Sequence, residues 1–541
     1  MAGLPYGLQS MLKAGHQHFS GLEEAVMKNI DACKALSQIT RTSLGPNGMN
    51  KMVINHLEKL FVTSDASTIV SELEVQHPAA KLLVMAAQAQ EHEIGDGTNL
   101  VLTFGGELLN NAESLLRDGL QPSEISDGYL RACAKALEVL ETLVLPGSEE
   151  LDVRNKDKVE KRLRAAISSK INGYEDVLCP LIAEACIDVC PKNPINFNVE
   201  NVRVVKIPGG ALPNSSIVKG MVIKRDAEGS IKRVSSAKVV VYAQGVDTSG
   251  TETKGTVLIK NAEELQNYAK TEENKLEEYI KSIHDAGARV IVSGGAFGEM
   301  AMHFIEKYEL MALRIPSKFE LMRVCKATGA TAKASLGAPS PEELGFVKSL
   351  EVTEIGGSNC LVLQQDSVLG NIATIVLRGS TAGFLDDVER AVNDAINNYK
   401  ALGKDPRTVP AGGATEIELG RQVADFGKRA TGLEQYSIHK FAEAFEVVPR
   451  TLAENSGLNA TDVLSTLYAA HANGQAAAGL CVETGVPKDL VADHITDLYM
   501  TKWWAIKLAV DAVTTILKVD QIIMSKQAGG PKPKGGDGDD D

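Results

Sequence analysis

The chain has 541 residues, more than a single hydrophobic core usually organises, so about three domains are expected. A hydrophobic fraction of 44% and a charged fraction of 23% are typical of a globular protein and exclude a disordered or fibrous chain. The net charge of −14 without a basic block argues against nucleic acid as a partner, and the sequence shows neither a secretory signal nor an apolar run of the roughly 18–20 residues that span a membrane, so we expect a cytosolic protein.

The N-terminal part, from Gly21 to about Glu141, is mainly helical in its pattern. Alternating and β-branched residues in KMVINHLEKLFVTSDASTIV (51–70) predict a hairpin that interrupts the helices. The segment HPAAKLLVMAAQAQEHE is apolar almost all round, which predicts a buried helix. A Gly-Asp-Gly-Thr turn then opens another helix, in which Leu100, Phe104 and Leu108 fall four residues apart.

The middle of the chain has an α/β pattern. Short strand-like runs are AKVVVYA (237–243), GTVLIK (255–260) and ARVIVSGG (288–295), and residues 261–284 form a long polar helical pattern. The segment 294–315 predicts a loop, a helix and a strand in that order.

Helical patterns return toward the C-terminus, in EIELGRQVADFGKRA, KFAEAFEVVPRTLAENSG, DVLSTLYAAHAN and MTKWWAIKLAVDAVTTIL. Two helical blocks around a different middle suggest one domain assembled from both termini, with the middle as an insertion. The last residues, GGPKPKGGDGDDD, contain nothing apolar to bury and are expected to be disordered.

The eight cysteines are scattered and form no Cys-x-x-Cys pair. Cys186 and Cys190 could present two thiolates on one helical face, but no second pair of ligands accompanies them. We therefore expect buried free thiols.

Three glycine-rich boundaries mark the starts or ends of helices: TSLGPNGMNKM, GDGTN and PAGGATEIELG. Any one of them is usually an ordinary helix cap, but free amides at a helix N-terminus also bind phosphate oxygens. Three such turns in the two halves of one predicted domain suggest a shared nucleotide pocket. The sequence contains neither the P-loop pattern nor Gly-x-Gly-x-x-Gly after a strand, so a phosphate site of another kind is predicted.

These turns, together with VTSDASTI, HPAAKLLV, ATIVLRGST and VERAVNDAI, resemble the linked motifs of group II chaperonins, the ATP-driven folding machines of archaea and the eukaryotic cytosol. The resemblance runs in order over nearly the whole chain. It implies a mostly helical equatorial domain from both termini, a small intermediate hinge domain and an α/β apical domain with a helical protrusion. The implied ranges are equatorial 1–150 and 406–526, intermediate 151–215 and 372–405, apical 216–371 with the protrusion near 250–285, and a disordered acidic tail at 527–541.

The resemblance also implies residues that bind ATP or ADP with Mg²⁺. Asp96 would hold the magnesium ion, Asp65 would lie near the γ-phosphate, and Asp394 would orient the attacking water. The implied nucleotide-binding residues are Leu44, Gly45, Pro46, Asp96, Gly97, Thr98, Asn99, Gly412, Gly413, Gly479, Leu480 and Asp497. Of these, Gly412, Gly413 and Asp497 would lie beside the sugar, and Gly479 and Leu480 beside the adenine. Without the family pattern, Asp394 would be read as a solvated helix carboxylate and Asp497 as a capping acid.

Three positions depart from the family pattern: Asn99 replaces a threonine, while Ala66 and Ala411 replace glycines. Side chains at these positions are expected to occupy space that backbone usually takes beside the ligand. Nucleotide binding is therefore predicted more firmly than fast turnover.

The helix in GEMAMHFIEKYELMAL matches a family helix that contacts non-native protein. His303, Glu306 and Lys307 are predicted to face outward as substrate contacts, with Met302 and Phe304 packed behind them. The alternative is a helix whose apolar residues only seal it onto a sheet. The long helix that matches the protrusion could likewise be an ordinary surface helix.

The function implied is that of an ATP-hydrolysing subunit of a hetero-oligomeric double ring, built with homologous subunits, that encloses non-native proteins including actin and tubulin. Two alternatives stay open at this stage. One is a structural ring subunit that binds nucleotide but hardly hydrolyses it. The other is a free-standing small-molecule kinase.

Overall fold

The computed structural model describes residues 18–19, 22–247, 262–365 and 372–523, with backbone alone at 18–19, 22–24 and 262–272. The predicted strand at 255–260, the start of the predicted protrusion and the predicted tail at 527–541 lie outside the described residues. Among the described residues, no helix is both long and apolar enough to cross a membrane.

The α-helices of the described residues follow in chain order. They are α1 (Leu22–Arg41), α2 (Ala66–Glu72), α3 (Pro78–Glu93), α4 (Thr98–Arg117), α5 (Pro122–Thr142), α6 (Lys156–Ser168), α7 (Glu175–Val189), α8 (Ala262–Asp285), α9 (Glu299–Lys307), α10 (Lys318–Thr328), α11 (Ala382–Lys404), α12 (Ala414–Gly427), α13 (Glu434–Ala444), α14 (Val447–Asn455), α15 (Ala460–Ala472) and α16 (Tyr499–Leu517).

The strands are shorter and fall mainly in the middle of the chain. They are β1 (His18–Phe19), β2 (Lys51–Ile54), β3 (Leu60–Thr63), β4 (Val202–Pro208), β5 (Ser216–Ile223), β6 (Arg233–Tyr242), β7 (Ala288–Ser293), β8 (Met311–Arg314), β9 (Ala332–Lys333), β10 (Gly345–Ile355), β11 (Ser358–Gln364), β12 (Ala373–Gly379), β13 (Thr408–Pro410), β14 (Ala478–Leu480), β15 (Pro487–Asp489), β16 (Thr496–Leu498) and β17 (Ile522–Ile523).

The chain folds as two compact units. The terminal unit contains the described residues up to 93, residues 97–145 and those from 409 on, and it is mainly helical. The middle unit contains residues 94–96 and 146–408 and carries a large sheet with helices. The expected combination of a helical part and an α/β part is therefore confirmed, while the finer intermediate and apical boundaries stay predictions.

The core of the terminal unit is built on the helical spacing of α4. Phe104 and Leu108 are fully buried, and the Phe104 ring stacks on Phe445 with 4.7 Å between centroids and meets Phe441 edge-on at 5.7 Å. The Tyr129 hydroxyl donates to the Leu108 carbonyl at 2.9 Å, so this buried phenol is satisfied. Truncating a phenylalanine in such a core costs roughly 3–5 kcal/mol, which makes Phe104→Ala the change that would most disrupt this packing.

The hairpin predicted over residues 51–70 is only partly correct. β2 and β3 do pair antiparallel, but the chain then forms α2. Asp65 caps this helix, because its carboxylate accepts from the Thr68 N–H at 3.0 Å, and Ile69 and Val70 bury one helical face. Capping and burial thus override the strand preference of these β-branched residues.

The sheet of the middle unit has the strand order β4-β12-β5-β11-β10-β6-β7-β8, with β9 paired to β6. β6, β7 and β8 are parallel, and α8 and α9 provide the crossovers that parallel neighbours require. The predicted order of loop, helix and strand at 294–315 is confirmed by α9 and β8.

All eight cysteines are free, and five of them are buried. Burial raises the pKa of the Cys186 thiol well above its usual value. Cys186 is thus a buried free thiol, as expected, whereas Cys190 is half-buried.

Candidate functional site

The loop that follows α1 is a compact turn fixed from two sides. The Met49 N–H donates to the Thr42 carbonyl at 2.7 Å, and Gly45 has a φ of +83°, which favours glycine. A side chain at Gly45 would also clash with Leu452 of α14. The Asn455 amide donates to the Leu44 carbonyl at 2.9 Å, so α14 holds this loop, with its predicted residues Leu44, Gly45 and Pro46, in one conformation.

Asp65, predicted to lie near the γ-phosphate, is buried at the start of α2. Its Oδ2 accepts from both the N–H and the hydroxyl of Thr68, at 3.0 and 2.7 Å. The carboxylate therefore has a fixed orientation, which a positioning role requires.

The Gly-Asp-Gly-Thr turn opens α4 with Gly97 as its N-cap, at a φ of +81°. A side chain at this position would meet the Thr501 methyl at 2.7 Å, so the turn packs directly against the first turn of α16. The Thr98 side chain is buried, which leaves the backbone amides of the first turn of α4 as the donors that a phosphate could use.

Asp96, the preceding residue, belongs with the middle unit, where residues 94–96 lie against α11. The Asn398 amide of α11 donates to Asp96 Oδ2 at 3.1 Å. Asp394 is four residues earlier on the same helix, so it shares a helical face with Asn398. The fold thus brings two carboxylates predicted to act on the nucleotide, Asp96 and Asp394, to one face of α11.

Asp394 is nearly buried and forms an ion pair with Lys170, with 3.2 Å between Nζ and Oδ2. Lys170 follows α6 in a turn closed by the Lys170 N–H to the Ile167 carbonyl at 3.0 Å. The ion pair holds the carboxylate in one place, as a group that positions a water molecule must be held. Sequence reasoning missed Lys170, because its partner lies more than 200 positions away in the sequence.

The oxygens around Asp96 fit a magnesium ion. Asn398 is 5% exposed, and its Oδ1 has no hydrogen-bond partner among the described residues. Mg²⁺ prefers hard oxygen ligands and is usually held by one or two carboxylates together with phosphates and waters. The Asp96 carboxylate with the neighbouring Asn398 Oδ1 provides such a donor set.

The residues predicted beside the sugar and the base do come together in the terminal unit. Gly413 is the N-cap of α12, and the Leu480 N–H of β14 donates to the Gly412 carbonyl at 2.9 Å. A side chain at Gly479 would meet the Ala411 carbonyl at 2.6 Å, so β14 lies directly on this loop. The Leu480 side chain is buried in a cluster with Ile417, so only its backbone could meet a base.

Asp497 lies on β16, just before α16, and its side chain is 34% exposed. Its Oδ2 is 2.9 Å from Nζ of the buried Lys502, which also forms an ion pair with Glu416 of α12. Burial by itself would lower the pKa of the Lys502 ammonium, but the charges of Asp497 and Glu416 outweigh it and the pKa lies well above its usual value.

A second buried network supports β14. The ring of His471 places Nδ1 3.2 Å from Glu418 Oε2 and Nε2 2.9 Å from the Ala478 carbonyl. Although burial raises it, hydrogen bonds from His471, Arg421 and Gln422 lower the pKa of the Glu418 carboxyl to about 2. The ring of His471 therefore links Glu418 of α12 to Ala478 of β14.

The side chains at the three departures from the family pattern are buried or hydrogen-bonded, and their effect on a bound nucleotide stays a prediction. The methyl group of Ala66 is 1% exposed and packs in the core of the terminal unit, and Ala411 is 4% exposed. Asn99 donates to the Thr40 carbonyl at 3.1 Å and accepts from the Thr103 hydroxyl at 3.0 Å. Packing and hydrogen bonds thus absorb all three side chains.

On α9, the predicted split of exposed and packed residues is confirmed. His303, Glu306 and Lys307 are exposed, whereas Phe304 is buried and Met302 half-buried. Lys307 is tied to Glu277 of α8 at 2.6 Å. Met300 is 44% exposed and so does not seal this helix onto the sheet.

The next helix, α10, carries an apolar surface that sequence reasoning missed. Phe319 and Met322 are 74% and 67% exposed, three residues apart on one helical face. Large apolar side chains this exposed mark surfaces that contact other molecules. The sequence contained a signal for this surface, because Phe319 and Met322 are large apolar residues three positions apart that do not share the buried positions of α10.

Comparison with known proteins identifies the family of the chain. Residues 36–527 match the profile of the TCP-1/cpn60 chaperonin family. The chain is 59% identical over 532 residues to T-complex protein 1 subunit theta of Arabidopsis thaliana (98% of this chain, 97% of the relative), 54% over 539 residues to the human protein of that name (99% and 98%) and 52% over 527 residues to that of Dictyostelium discoideum (97% and 98%). Within the family, the variations in the motifs resemble those of the theta subunit, which is the name that these relatives bear. The chain belongs to the TCP-1/cpn60 chaperonin family.

Proposed function

We propose that the chain is an ATP-hydrolysing subunit of a cytosolic, hetero-oligomeric double-ring chaperonin that encloses non-native proteins such as actin and tubulin. The observation that carries the ATPase assignment is the face of α11, where Asn398 binds Asp96 and Asp394 lies one turn away beside Lys170. Family membership supports the chaperonin part of the proposal.

In the proposed reaction, the chain's own groups position reactants rather than form covalent intermediates. The amides at the start of α4 bind phosphate oxygens, and Asp394 orients the attacking water and accepts its proton. Lys170 holds the Asp394 carboxylate in place. Asp96 with Asn398 would hold Mg²⁺, which when bound neutralises charge on the phosphate oxygens.

Ring assembly is supported by the hairpin of β2 and β3. Met52 pairs with Val62 and Ile54 with Leu60, and all four side chains are exposed on one face, between 38% and 68%. An apolar face of this kind is expected to be covered in the working protein. The curated relatives are themselves named as subunits, which supports homologous chains as the cover.

Capture of non-native protein is supported by the apolar surface of α10. Phe319 and Met322 offer contacts that do not depend on a particular sequence, and methionine adapts to irregular apolar surfaces. His303, Glu306 and Lys307 on α9 remain the proposed polar contacts.

The ATPase assignment is tested on the chain in its native complex. The purified complex is loaded with 8-azido-ATP carrying radiolabel in either the α- or the γ-phosphate, crosslinked at intervals after mixing, and separated into its chains. Hydrolysis by this chain predicts that its γ-label falls while its α-label persists. A constant ratio of the two labels on this chain would instead support the structural subunit that binds nucleotide without turnover.

The free-standing kinase loses its support, because the match to chaperonin subunits covers 97–99% of the chain. Native mass of the endogenous protein tests the ring directly. A particle many times larger than 57.8 kDa that contains related chains in equal amounts is expected. A stable monomer or dimer would contradict it.

A further inference from the structure

Lys502 is the most enclosed cation near the candidate site, and its two partners come from distant parts of the chain. It forms ion pairs with Glu416, which follows the Gly412–Gly413 turn in the first turn of α12, and with Asp497 on β16. The Glu416 and Lys502 side chains are 3% and 9% exposed, whereas that of Asp497 is 34% exposed.

Such a trio is costly unless its geometry is fixed. One ammonium between two carboxylates leaves a net charge of −1 in a largely buried place, and Glu416 Oε2 has no hydrogen-bond partner among the described residues. Replacing buried ion pairs by apolar side chains is often neutral or stabilising, so stability alone is a weak reason to retain this one. A positioning role accounts for it better.

Asp497 is the member of the trio that reaches the surface. Lys502 engages its Oδ2 at 2.9 Å, and the Asp497 side chain is 34% exposed. The ion pair therefore restricts the orientation of the carboxylate, while its exposed part can accept hydrogen bonds from a ligand. The second ion pair of Lys502, with Glu416, places the same ammonium beside the turn that carries Gly412 and Gly413.

We propose that Lys502 is a positioning residue for nucleotide specificity, which holds Asp497 so that its carboxylate accepts hydrogen bonds from the ribose hydroxyls of the bound nucleotide. This inference rests on the proposed function and on the resemblance, which implies that Asp497 lies beside the sugar. A site built to hydrogen-bond a hydroxyl discriminates strongly against an analogue that lacks it. A carboxylate free to rotate would discriminate less, because its ordering would cost part of the binding energy.

The test measures ribose discrimination by this chain within the assembled complex. Photolabelling of the chain by 8-azido-ATP is competed with ATP or with 2′,3′-dideoxyATP, and the ratio of the two half-protecting concentrations is recorded. The wild type is expected to prefer ATP by roughly tenfold or more, and Asp497→Asn to lose most of that preference. A merely structural Lys502 would change both concentrations alike and leave their ratio unchanged.

The main variant is Lys502→Met combined with Glu416→Gln. It keeps the net charge of the trio at −1 and leaves no unpaired buried glutamate, so it is better suited to fold than Lys502→Met alone. Its ratio is expected to fall to about that of Asp497→Asn. Lys507→Met, which removes an exposed lysine paired with Asp511 on the same helix, is the matched control and should keep the wild-type ratio.

A wild-type ratio retained by the main variant in assembled complex would overturn the proposal, as would a wild type that does not prefer ATP. If the main variant is missing from the complex, Glu416→Gln decides. In Glu416→Gln, Lys502 still pairs with Asp497, so the proposal predicts a ratio within about twofold of wild type. Loss of the preference for ATP in this variant would assign ribose discrimination to Glu416 and contradict the proposal. Failure of the proposed function looks different, because the wild-type chain would then not be labelled by 8-azido-ATP and protected by ATP at all.

Discussion

The two units each fix a predicted active carboxylate with a lysine, but they do so in different ways. In the terminal unit, Lys502 is enclosed between Asp497 and Glu416 and lies on a long helix. In the middle unit, Lys170 binds Asp394 from a turn after α6, and its side chain is 15% exposed. The first arrangement suits a group that only binds, whereas the second suits a group whose position can change during turnover. Binding and hydrolysis are thus expected to respond to different mutations.

Asp394→Ala is expected to change the activity of this chain most. A normal hydrolysis rate would contradict the contrast between binding in the terminal unit and hydrolysis in the middle unit. Loss of the group that orients and deprotonates water should slow hydrolysis by this chain by about 10²–10⁴-fold with little change in nucleotide binding. The decline of γ-label relative to α-label on this chain measures it. Asp387→Ala on the same helix, which removes a partner of Arg390, is the control and should turn over normally.

Glu418→Gln should act on the terminal unit through stability. The folded pKa of about 2 lies below the ordinary value near 4.5, so the ionised group is expected to stabilise the fold at neutral pH by about 2–3 kcal/mol. Because the folded pKa is depressed, this contribution is complete above about pH 4.5 and is lost as the pH falls toward 2. Urea unfolding of the isolated chain at pH 7, 4 and 3 should show the gap to wild type closing. Glu443→Gln, an exposed partner of Lys440, should change stability by less than about 0.5 kcal/mol.

Asn398→Leu tests whether the middle unit contributes to magnesium binding. The variant keeps the volume near Asp96 but removes both the donor to its Oδ2 and the neighbouring Oδ1. We expect the Mg²⁺ concentration for half-maximal photolabelling of this chain to rise roughly tenfold. Asn397→Leu would disturb the close approach of Gly95 instead, so Lys400→Leu, one turn further along α11, is the better control. An unchanged Mg²⁺ requirement would remove Asn398 from the proposed metal site.

The smallest expected effect is on capture of non-native protein. Phe319→Ser with Met322→Ser removes the exposed apolar pair of α10 and should weaken binding of denatured actin by this chain several-fold, as judged by crosslinking yield in the complex. Tyr279→Ser changes another exposed aromatic residue of the middle unit and should leave the yield unchanged. Equal yields for the pair and the control would remove α10 from the substrate surface.

Features that depend only on neighbouring residues could be predicted from the sequence. The helical spacing of Leu100, Phe104 and Leu108, the glycine turn that opens α4 and the order of loop, helix and strand around α9 are local patterns, and the structure has all of them. The linked motifs likewise identified the family, because each motif is short and their order is preserved.

Contacts between side chains that are distant in the sequence could not be predicted from local patterns and are seen only in the tertiary structure. Lys502 and Glu416 are 86 positions apart, and Asn398 and Asp96 are 302 apart, so no local pattern could pair them. The same holds for burial: packing encloses the methyl groups of Ala66 and Ala411, and Asp65 looks like part of a strand until it caps a helix. Pairing and burial depend on contacts between distant segments, and such contacts form only when the whole chain has folded.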